Sequence, residues 1–487
     1  MRSRILRGLA WKVFSGGFRQ IAQMAVAVIL ARLLTPHDYG LAAMVLVFSS
    51  LVIIFSDLAL GAALVQRKEL HERDRSTVFW TSTAVGLVFM LLGVAASWPV
   101  AAFYGEADVQ PLLAALSVGF LVTALGTTQT ALLNREMDFK SLELRLMAGT
   151  LAGAVIGITL AASGYGAWAI IAQQLASAFA STVLLWALSP WHPRFTFSIA
   201  SLRNLSSFSL KVFGTRLVFY ANRNADNLLI GRFLGPSALG AYAVAYNVML
   251  APIQRITAPL VEVLFPAFSR IQDERERIAS LWLRAIRVVG TITIPGMVGL
   301  VIVAPEFVRV VLGERWEAAV PVIQILAVVG LMQSLQGMNS GILQACDRAG
   351  TLLRCAILTV VLSLLAFAVG MAWGIVGVAA AYAIASCIAE PYYAWQTMRT
   401  IGVGNVAYLR NLGGVAAATV GMAACVLATR ELLLPESLPA GARLAIMVAV
   451  GTLSYLPLWA WRAPEVLAEF RGVLRRRGGV QPAPAGT

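Results

Sequence analysis

The residues that decide the fold form a turn that occurs twice in the chain, 200 residues apart. The first copy reads Ile29-Leu-Ala-Arg-Leu-Leu-Thr-Pro-His-Asp-Tyr-Gly40, and the second reads Leu229-Ile-Gly-Arg-Phe-Leu-Gly-Pro-Ser-Ala-Leu-Gly240. Four identities fall in register: Arg32 with Arg232, Leu34 with Leu234, Pro36 with Pro236, and Gly40 with Gly240. Each copy joins two long apolar stretches. Similarity at a fixed interval predicts an internal repeat.

The composition around these turns excludes a water-soluble protein. Of the 487 residues, 59% are apolar and 13% are charged, whereas soluble domains are about a quarter charged. The mean hydropathy is +0.77. A formal charge of +14 would suggest nucleic acid in a soluble protein, but anionic lipid headgroups attract basic loops equally well. We therefore expect an all-α, polytopic membrane protein, surrounded by membrane lipids and without a nucleic-acid ligand.

A bilayer-spanning helix needs about 20 mostly apolar residues, and the polar and Gly/Pro breaks divide this chain into 14 such spans. They are predicted at 11–34, 40–65, 77–103, 111–133, 146–163, 168–189, 208–231, 240–268, 287–304, 318–346, 351–373, 376–397, 412–430 and 442–461. We expect the first span to be a retained helix, because it lacks a convincing small-x-small cleavage site and more spans follow.

Lys and Arg are distributed unequally between the two sides of the predicted membrane. With a cytoplasmic N-terminus, the inside segments hold 27 of these residues and the outside segments hold six. Positive charge favours the cytoplasmic side, so this bias predicts that both termini are cytoplasmic and that the number of spans is even.

The repeat also predicts the domain organisation. Residues 1–205 and 206–400 would form two six-helix lobes with the same membrane orientation, since six spans separate the copies. Such parallel repeats are related by an axis along the membrane normal, as in some secondary transporters. Residues 401–465 would add helices 13 and 14, and residues 466–487 would form a basic cytoplasmic tail.

Four motifs together resemble the bacterial polysaccharide transporter family, the lipid-linked oligosaccharide flippases. They are Leu30-Ala-Arg-Leu-Leu-Thr-Pro-His-Asp-Tyr-Gly40, Asp57-Leu-Ala-Leu-Gly-Ala-Ala-Leu-Val-Gln-Arg67, Asp226-Asn-Leu-Leu-Ile-Gly-Arg-Phe-Leu-Gly235 and Phe265-Pro-Ala-Phe-Ser-Arg-Ile-Gln-Asp273. The resemblance covers residues 10 to about 400. That family belongs to the MOP superfamily, together with the MATE transporters and the lipid II flippases.

The resemblance implies two lobes around a central cavity, in a bacterial cytoplasmic (inner) membrane. The implied activity is alternating access that moves undecaprenyl-pyrophosphate-linked repeat units outward for O-antigen, capsule or exopolysaccharide synthesis. It implies no cofactor, and its candidate partners are a polysaccharide polymerase and a chain-length regulator. Resemblance to the lipid II flippases further suggests that helices 13 and 14 shape a groove for the lipid tail.

Five basic side chains fall within predicted spans: Arg19, Lys211, Arg216, Arg223 and Arg255. Each costs about 2.5 to 3.5 kcal/mol at the centre of a spanning helix, so each needs compensation. One interpretation is that they line the cavity and bind the pyrophosphate, because a guanidinium offers paired donors to phosphate oxygens. The alternative is pairing within the protein, and Lys211 could instead extend to the membrane surface.

Three acidic residues, Asp57, Asp226 and Glu262, suit either of two roles. They could carry a coupling proton or sodium ion, as intramembrane carboxylates often do. They could equally balance nearby arginines: Arg223 lies three residues before Asp226, and Arg255 could pair with Glu262 or Asp57. The charge-balancing role is the simpler one.

Two other functions compete with transport of a lipid-linked glycan. A MATE-like drug/cation antiporter would need an acidic or apolar cavity, which the excess of cations in the spans disfavours. A glycan polymerase or ligase would need a catalytic outer loop, and the predicted outer connections are short. The chain is therefore expected to be a transporter and not an enzyme. Neither a metal site nor a hydrolytic centre is expected, because His37, His71 and His192 lie far apart and no Cys pair has metal-ligand spacing.

Overall fold

A computed structural model describes the backbone of residues 2–56, 64, 70–198, 209–435 and 437–462. Side chains are described over the same residues except 2–10, 12–13, 49–56 and 209–223. Every regular element in these ranges is helical, so the all-α class is confirmed. Asp57 and most of the predicted 57–67 motif lie outside the described residues.

Fifteen α-helices follow one another along the described chain. They are α1 Arg2–Leu33, α2 Pro36–Ser56, α3 Glu72–Tyr104, α4 Val109–Ala124, α5 Thr127–Arg135, α6 Phe139–Ala162, α7 Trp168–Leu188, α8 Ser209–Pro252, α9 Ala258–Arg270, α10 Arg275–Phe307, α11 Ala319–Ala345, α12 Ala349–Gly370, α13 Gly374–Ile401, α14 Asn405–Ala428 and α15 Ala440–Arg462. A π-helical turn, Ile253–Thr257, joins α8 to α9.

The repeated turn begins a helix because its residues cap one. Pro36 occupies the first helical position, where the missing N–H costs nothing. The Thr35 hydroxyl accepts the backbone N–H of Asp38 at 3.2 Å, and the Asp38 carboxylate accepts the Thr35 backbone N–H at 2.9 Å. This reciprocal pair satisfies two donors at the start of α2.

Eleven stretches of the described chain are long and apolar enough to cross a membrane. Two of them, Asn224–Arg270 with 47 residues and Ala349–Ile401 with 53, are more than twice as long as the roughly 20 residues that one crossing needs. The first is interrupted at Gly235, which has φ 84° and ψ 176°. The second is interrupted at Gly374, which has φ 67°. Glycine adopts these backbone angles without a Cβ clash, so both long stretches can change direction there.

The outward-facing side chains are those of a protein solvated by lipid. Leu453 is 71% exposed, Val420 69% and Ile384 64%, each within a long helix. Exposing this much apolar surface to water would be unfavourable, whereas the hydrocarbon of a bilayer solvates it well. The protein is therefore a multi-pass membrane protein.

The chain divides into two compact units, Met1–Ala243 and Val244–Thr487. In the first unit, α1, α2, α6 and α7 meet around Leu30, Leu34, Ala42 and Ala169. In the second, Trp282 of α10 is fully buried, donates its indole N–H to Asn339 Oδ1 at 3.2 Å and stacks on Tyr408. The lobe boundary predicted at residue 205 concerns the sequence repeat and stays a prediction.

Both repeated turns belong to the first unit, and they are in contact. A Cβ added at Gly40 would overlap the carbonyl group of Pro236, and a Cβ added at Gly240 would overlap the carbonyl group of Pro36. The two contacts are reciprocal: the glycine of each copy packs against the carbonyl group of the proline of the other copy. The two turns therefore lie at the same end of this unit.

Candidate functional site

Helix α6 carries the charged residues Lys140, Glu143 and Arg145 in its first two turns. The helix starts after Asp138, whose carboxylate accepts the backbone N–H of Ser141 at 3.2 Å. Glu143 and Arg145 follow within this helix. The fifth span was predicted to begin at residue 146, so the sequence placed both residues in a connecting loop, whereas the structure places them in α6.

Glycines set the distance between α6 and α7. A Cβ at Gly149 would lie 2.7 Å from the Ser177 carbonyl oxygen, and a Cβ at Gly153 would lie 2.6 Å from the Gln173 carbonyl oxygen. Only glycine permits these two backbones to approach so closely. The close approach fixes Gln173 and Ser177 beside the inner surface of α6.

Arg19 of α1 pairs with Glu143 of α6. The Nη2 atom of Arg19 lies 3.3 Å from Oε2 of Glu143, and the Ser15 hydroxyl donates to the same oxygen at 2.6 Å. Glu143 is buried, so its charge requires these partners. Arg19 thus has a partner inside the protein, 124 residues away, which the sequence did not indicate.

A cavity of about 1080 Å³ lies between α1, the α4–α5 region, α6 and α7 of the first unit. Most of its lining side chains carry a neutral hydroxyl or amide group. These are Gln23, Thr123, Thr127, Thr130, Asn134, Thr150, Gln173, Gln174, Ser177, Ser181 and Thr182. Arg19 and Arg145 add two positive charges to the wall. Such a lining offers many hydrogen-bond donors and acceptors together with a site for an anion.

Arg145 is the cation of this wall that is available for a ligand. Glu143 acts on it electrostatically, but the carboxylate is already engaged by Arg19 and Ser15. Among the described residues, no hydrogen bond or ion pair of the Arg145 guanidinium is found, and its Nε is buried without an acceptor. Two arginines face one carboxylate, so this end of the cavity carries an excess positive charge.

The structure places Arg19 and Gln23, both on α1, on the same cavity wall. Lys211, Arg216 and Arg223 lie in the first half of α8, outside the residues whose side chains are described.

The remaining predicted site residues differ in burial. Asp226 is buried, and its carboxylate accepts the backbone N–H of Asn227 at 2.8 Å. Arg255 and Glu262 belong to the second unit and are exposed, Arg255 on the π-helical turn and Glu262 on α9. Among the predicted site residues whose side chains are described, Arg19 is the residue that lines the polar cavity.

The second unit contains an apolar cavity of about 590 Å³ between α10, α14 and α15. Its walls include Ile292, Leu300, Met422, Met447 and Leu456. The latter two helices correspond to the predicted spans 13 and 14.

An ion cluster around the buried Glu306 joins the same three helices. Glu306 of α10 lies 3.3 Å from Arg443 of α15 and 3.9 Å from Arg430, which follows α14. Arg430 also donates to the Ile302 carbonyl at 3.1 Å. Removing these arginines would leave the Glu306 carboxylate buried without a cation, so the cluster holds the three helices together.

The fold and the polar cavity define a class: a multi-pass helical membrane protein with a cationic, hydrogen-bonding interior. The chain belongs to the polysaccharide biosynthesis protein family, whose model matches residues 29–321.

Two relatives carry names from surface-glycan synthesis. The chain is 28% identical to the teichuronic acid biosynthesis protein TuaB of Bacillus subtilis, over 96% of this chain and 97% of TuaB. It is 29% identical to the succinoglycan biosynthesis transport protein ExoT of Rhizobium meliloti, over 70% of this chain and 67% of ExoT.

The fold is similar to that of the lipid II flippase MurJ in its inward closed conformation. The TM-score is 0.77 at 16% sequence identity, over 94% of this chain and all of the MurJ chain. A helical fold like that of MurJ is thereby confirmed, and the 14 spans and the parallel repeat stay predictions.

Proposed function

We propose that this protein is a flippase that moves undecaprenyl-pyrophosphate-linked oligosaccharide repeat units across the bacterial cytoplasmic membrane. The transferred units would serve the synthesis of O-antigen, capsule or exopolysaccharide. The names of TuaB and ExoT and the similarity to the fold of the lipid II flippase MurJ support this class of substrate.

The observation that carries the proposal is the lining of the polar cavity. Sugar hydroxyl groups are matched by hydroxyl and amide side chains such as Thr130, Gln173 and Ser177. A pyrophosphate is matched by Arg145, whose planar guanidinium lacks a hydrogen-bond or ion-pair partner among the described residues. A cavity that combines both features suits a sugar attached to a phosphate.

The predicted site residues keep their proposed roles beside Arg145. Arg19, Arg216, Arg223, Arg255 and Lys211 would attract the pyrophosphate, with Arg19 held in place by Glu143. Asp57, Asp226 and Glu262 would couple an ion or balance the arginines. The substrate would thus meet several cations during one transport cycle.

The proposed topology has 14 spans with both termini in the cytoplasm. The count follows if Asn224–Arg270 and Ala349–Ile401 each supply two spans and α2 supplies one. Two six-helix lobes related by a parallel repeat would give alternating access. The reciprocal contact of Gly40 with Pro236 and of Gly240 with Pro36 supports the repeat.

The lipid tail would stay outside the polar cavity. The apolar cavity between α10, α14 and α15 suits a hydrocarbon chain, because its walls offer almost entirely apolar contacts. A polysaccharide polymerase and a chain-length regulator would take up the product on the outer face.

The antiporter alternative fits the cavity less well. A MATE-like transporter of organic cations would expose its substrate to Arg19 and Arg145, and like charges in a low-dielectric interior repel. A polymerase or ligase would change the glycan covalently, so its product would differ in mass from its substrate.

The test is transfer of a defined undecaprenyl-pyrophosphate oligosaccharide by the purified protein in proteoliposomes, with and without ion gradients. Leaflet transfer without a change in substrate mass supports the flippase. A polymerised product, or export of organic cations without glycan transfer, would contradict it.

A further inference from the structure

The described chain buries three glutamates, and they differ in how their charge is compensated. Glu143, Glu306 and Glu390 are 7%, 6% and 7% exposed. Glu143 pairs with Arg19, and Glu306 pairs with Arg443 and Arg430. Among the described residues, no ion pair or hydrogen bond of Glu390 is found, and its Oε2 is buried without a donor.

An ionised carboxylate in this position would be strongly disfavoured. Burying a charged group without a cation costs several kcal/mol. A cost of this size is enough to keep such groups neutral in proteins. Inside a membrane span, water cannot supply the missing partner. Glu390 lies within Ala349–Ile401, one of the stretches long enough to span, so its neutral form is the stable one.

The groups around Glu390 do not remove this cost. Two ionisable side chains lie close enough to interact electrostatically with Glu390. They are Cys355 of α12, which is buried, and Tyr393 on the same helix as Glu390. Both are neutral in their ordinary state, and neither supplies a positive charge. Helix α11, which packs against α13, has no ionisable side chain.

Arginines on α12, α10 and α13 contact groups other than Glu390. Arg354 of α12 donates to the Gly350 carbonyl at 3.4 Å and to Thr351 at 3.3 Å. Arg287 of α10 donates to Asn411 at 2.8 Å, and Arg399 of α13 lies over the Trp395 ring. The carboxyl group therefore sits in a site that a proton, and none of these cations, neutralises.

The local backbone favours the protonated form further. Pro391 lies inside α13 and has no N–H, so the carbonyl of Cys387 loses its usual helical donor. A neutral carboxyl can donate one hydrogen bond to a carbonyl, whereas a carboxylate only accepts. The pair Glu390-Pro391 thus combines a potential donor with a carbonyl that lacks its usual helical donor.

We propose that Glu390 is a proton-binding site of the transport cycle, neutral while buried and ionised when α13 brings it to water. Ionisation breaks the carboxyl O–H bond and transfers the proton to water, and reprotonation on re-burial takes a proton from water. The proposal rests on the proposed flippase function and adds a proton as a second ligand, in the second unit of the chain.

The first part of the test needs no glycan. Infrared spectra of the full-length protein in lipid at neutral pH should contain the carbonyl stretch of a protonated carboxyl group. Glu390→Gln should remove this band, and Glu306→Gln should keep it, because Glu306 is equally buried but paired with arginines. A band unchanged in Glu390→Gln would show that Glu390 is ionised and would overturn the proposal.

The second part measures glycan transfer in proteoliposomes under a pH gradient. A proton-coupled step should change the wild-type transfer rate by up to about tenfold per pH unit, since one unit corresponds to about 1.4 kcal/mol. Glu390→Gln should transfer at the same rate with and without the gradient. Glu276→Gln, at an exposed position, should respond as the wild type does.

Two results of the transfer measurement would overturn the proposal: a wild-type rate that ignores the gradient, or a Glu390→Gln rate that still follows it. If the wild type transfers no glycan at all, the flippase function fails instead. The infrared band then still decides whether Glu390 binds a proton, so the two failures are distinguishable.

Discussion

Glu143 of α6 forms an ion pair with Arg19 of α1: Oε2 of Glu143 lies 3.3 Å from Nη2 of Arg19 and accepts a hydrogen bond from the Ser15 hydroxyl at 2.6 Å. This contact changes the interpretation of the cationic cavity. Because Arg19 is paired within the protein, its main role is to stabilise the fold. The nearby Arg145 is the cavity cation that we expect to bind the substrate.

Arg19→Ala should therefore destabilise the protein. Removing the arginine leaves Glu143 buried without its cation, and such changes lower the free energy of unfolding by about 3 kcal/mol. Denaturant unfolding in detergent or lipid measures the loss. The double variant Arg19→Ala/Glu143→Ala should recover most of it, because neither charge is then unpaired. If the single variant is as stable as the wild type, the ion pair has no structural role.

Gly153→Ala should disturb the packing that positions Gln173. The added methyl group would lie 2.6 Å from the Gln173 carbonyl oxygen, so α6 and α7 must separate. Overpacking of this kind costs about 1 to 3 kcal/mol. Gly413→Ala is the matched control, since it also lies within a helix but has no neighbour within 4 Å of an added Cβ. Equal melting temperatures of the two variants would contradict the close approach.

Single cysteines should report the proposed orientation. Thiol reagents that cannot cross the membrane should label positions 37, 107, 237 and 437 from outside. Positions 71, 138, 274 and 404 should be labelled only after permeabilisation. Positions 37 and 237 follow the two prolines whose turns are in contact, so they must behave alike. Labelling of 37 and 237 from opposite sides would exclude both the orientation and the parallel repeat.

The sequence predicted the helical class and the turns, because these depend on local residues. Pro36 at the first helical position and Gly235 at the break in α8 act through their own backbone angles. The start of α6 was predicted seven residues late, because Glu143 and Arg145 read as part of a basic loop when their surroundings are unknown.

The partners of buried charges could not be predicted in the same way. Ser15 and Glu143 are 128 residues apart, and no local pattern connects them. That Arg145 and Glu390 have no hydrogen-bond or ion-pair partner among the residues that the structure describes is likewise a property of packing. A charged residue immediately before a predicted span is the signal that could have brought Arg145 into the candidate set.

The most direct test of the central claim compares Arg145 variants in the proteoliposome assay with a defined undecaprenyl-pyrophosphate oligosaccharide. Loss of one charge-assisted hydrogen bond, worth about 1.5 to 3 kcal/mol, should slow transfer by about tenfold to a hundredfold in Arg145→Ala. Folded yield should be unchanged, and Arg145→Lys should recover only part of the rate, since it keeps the charge but loses the planar fork. Transfer at the wild-type rate by Arg145→Ala would contradict the account.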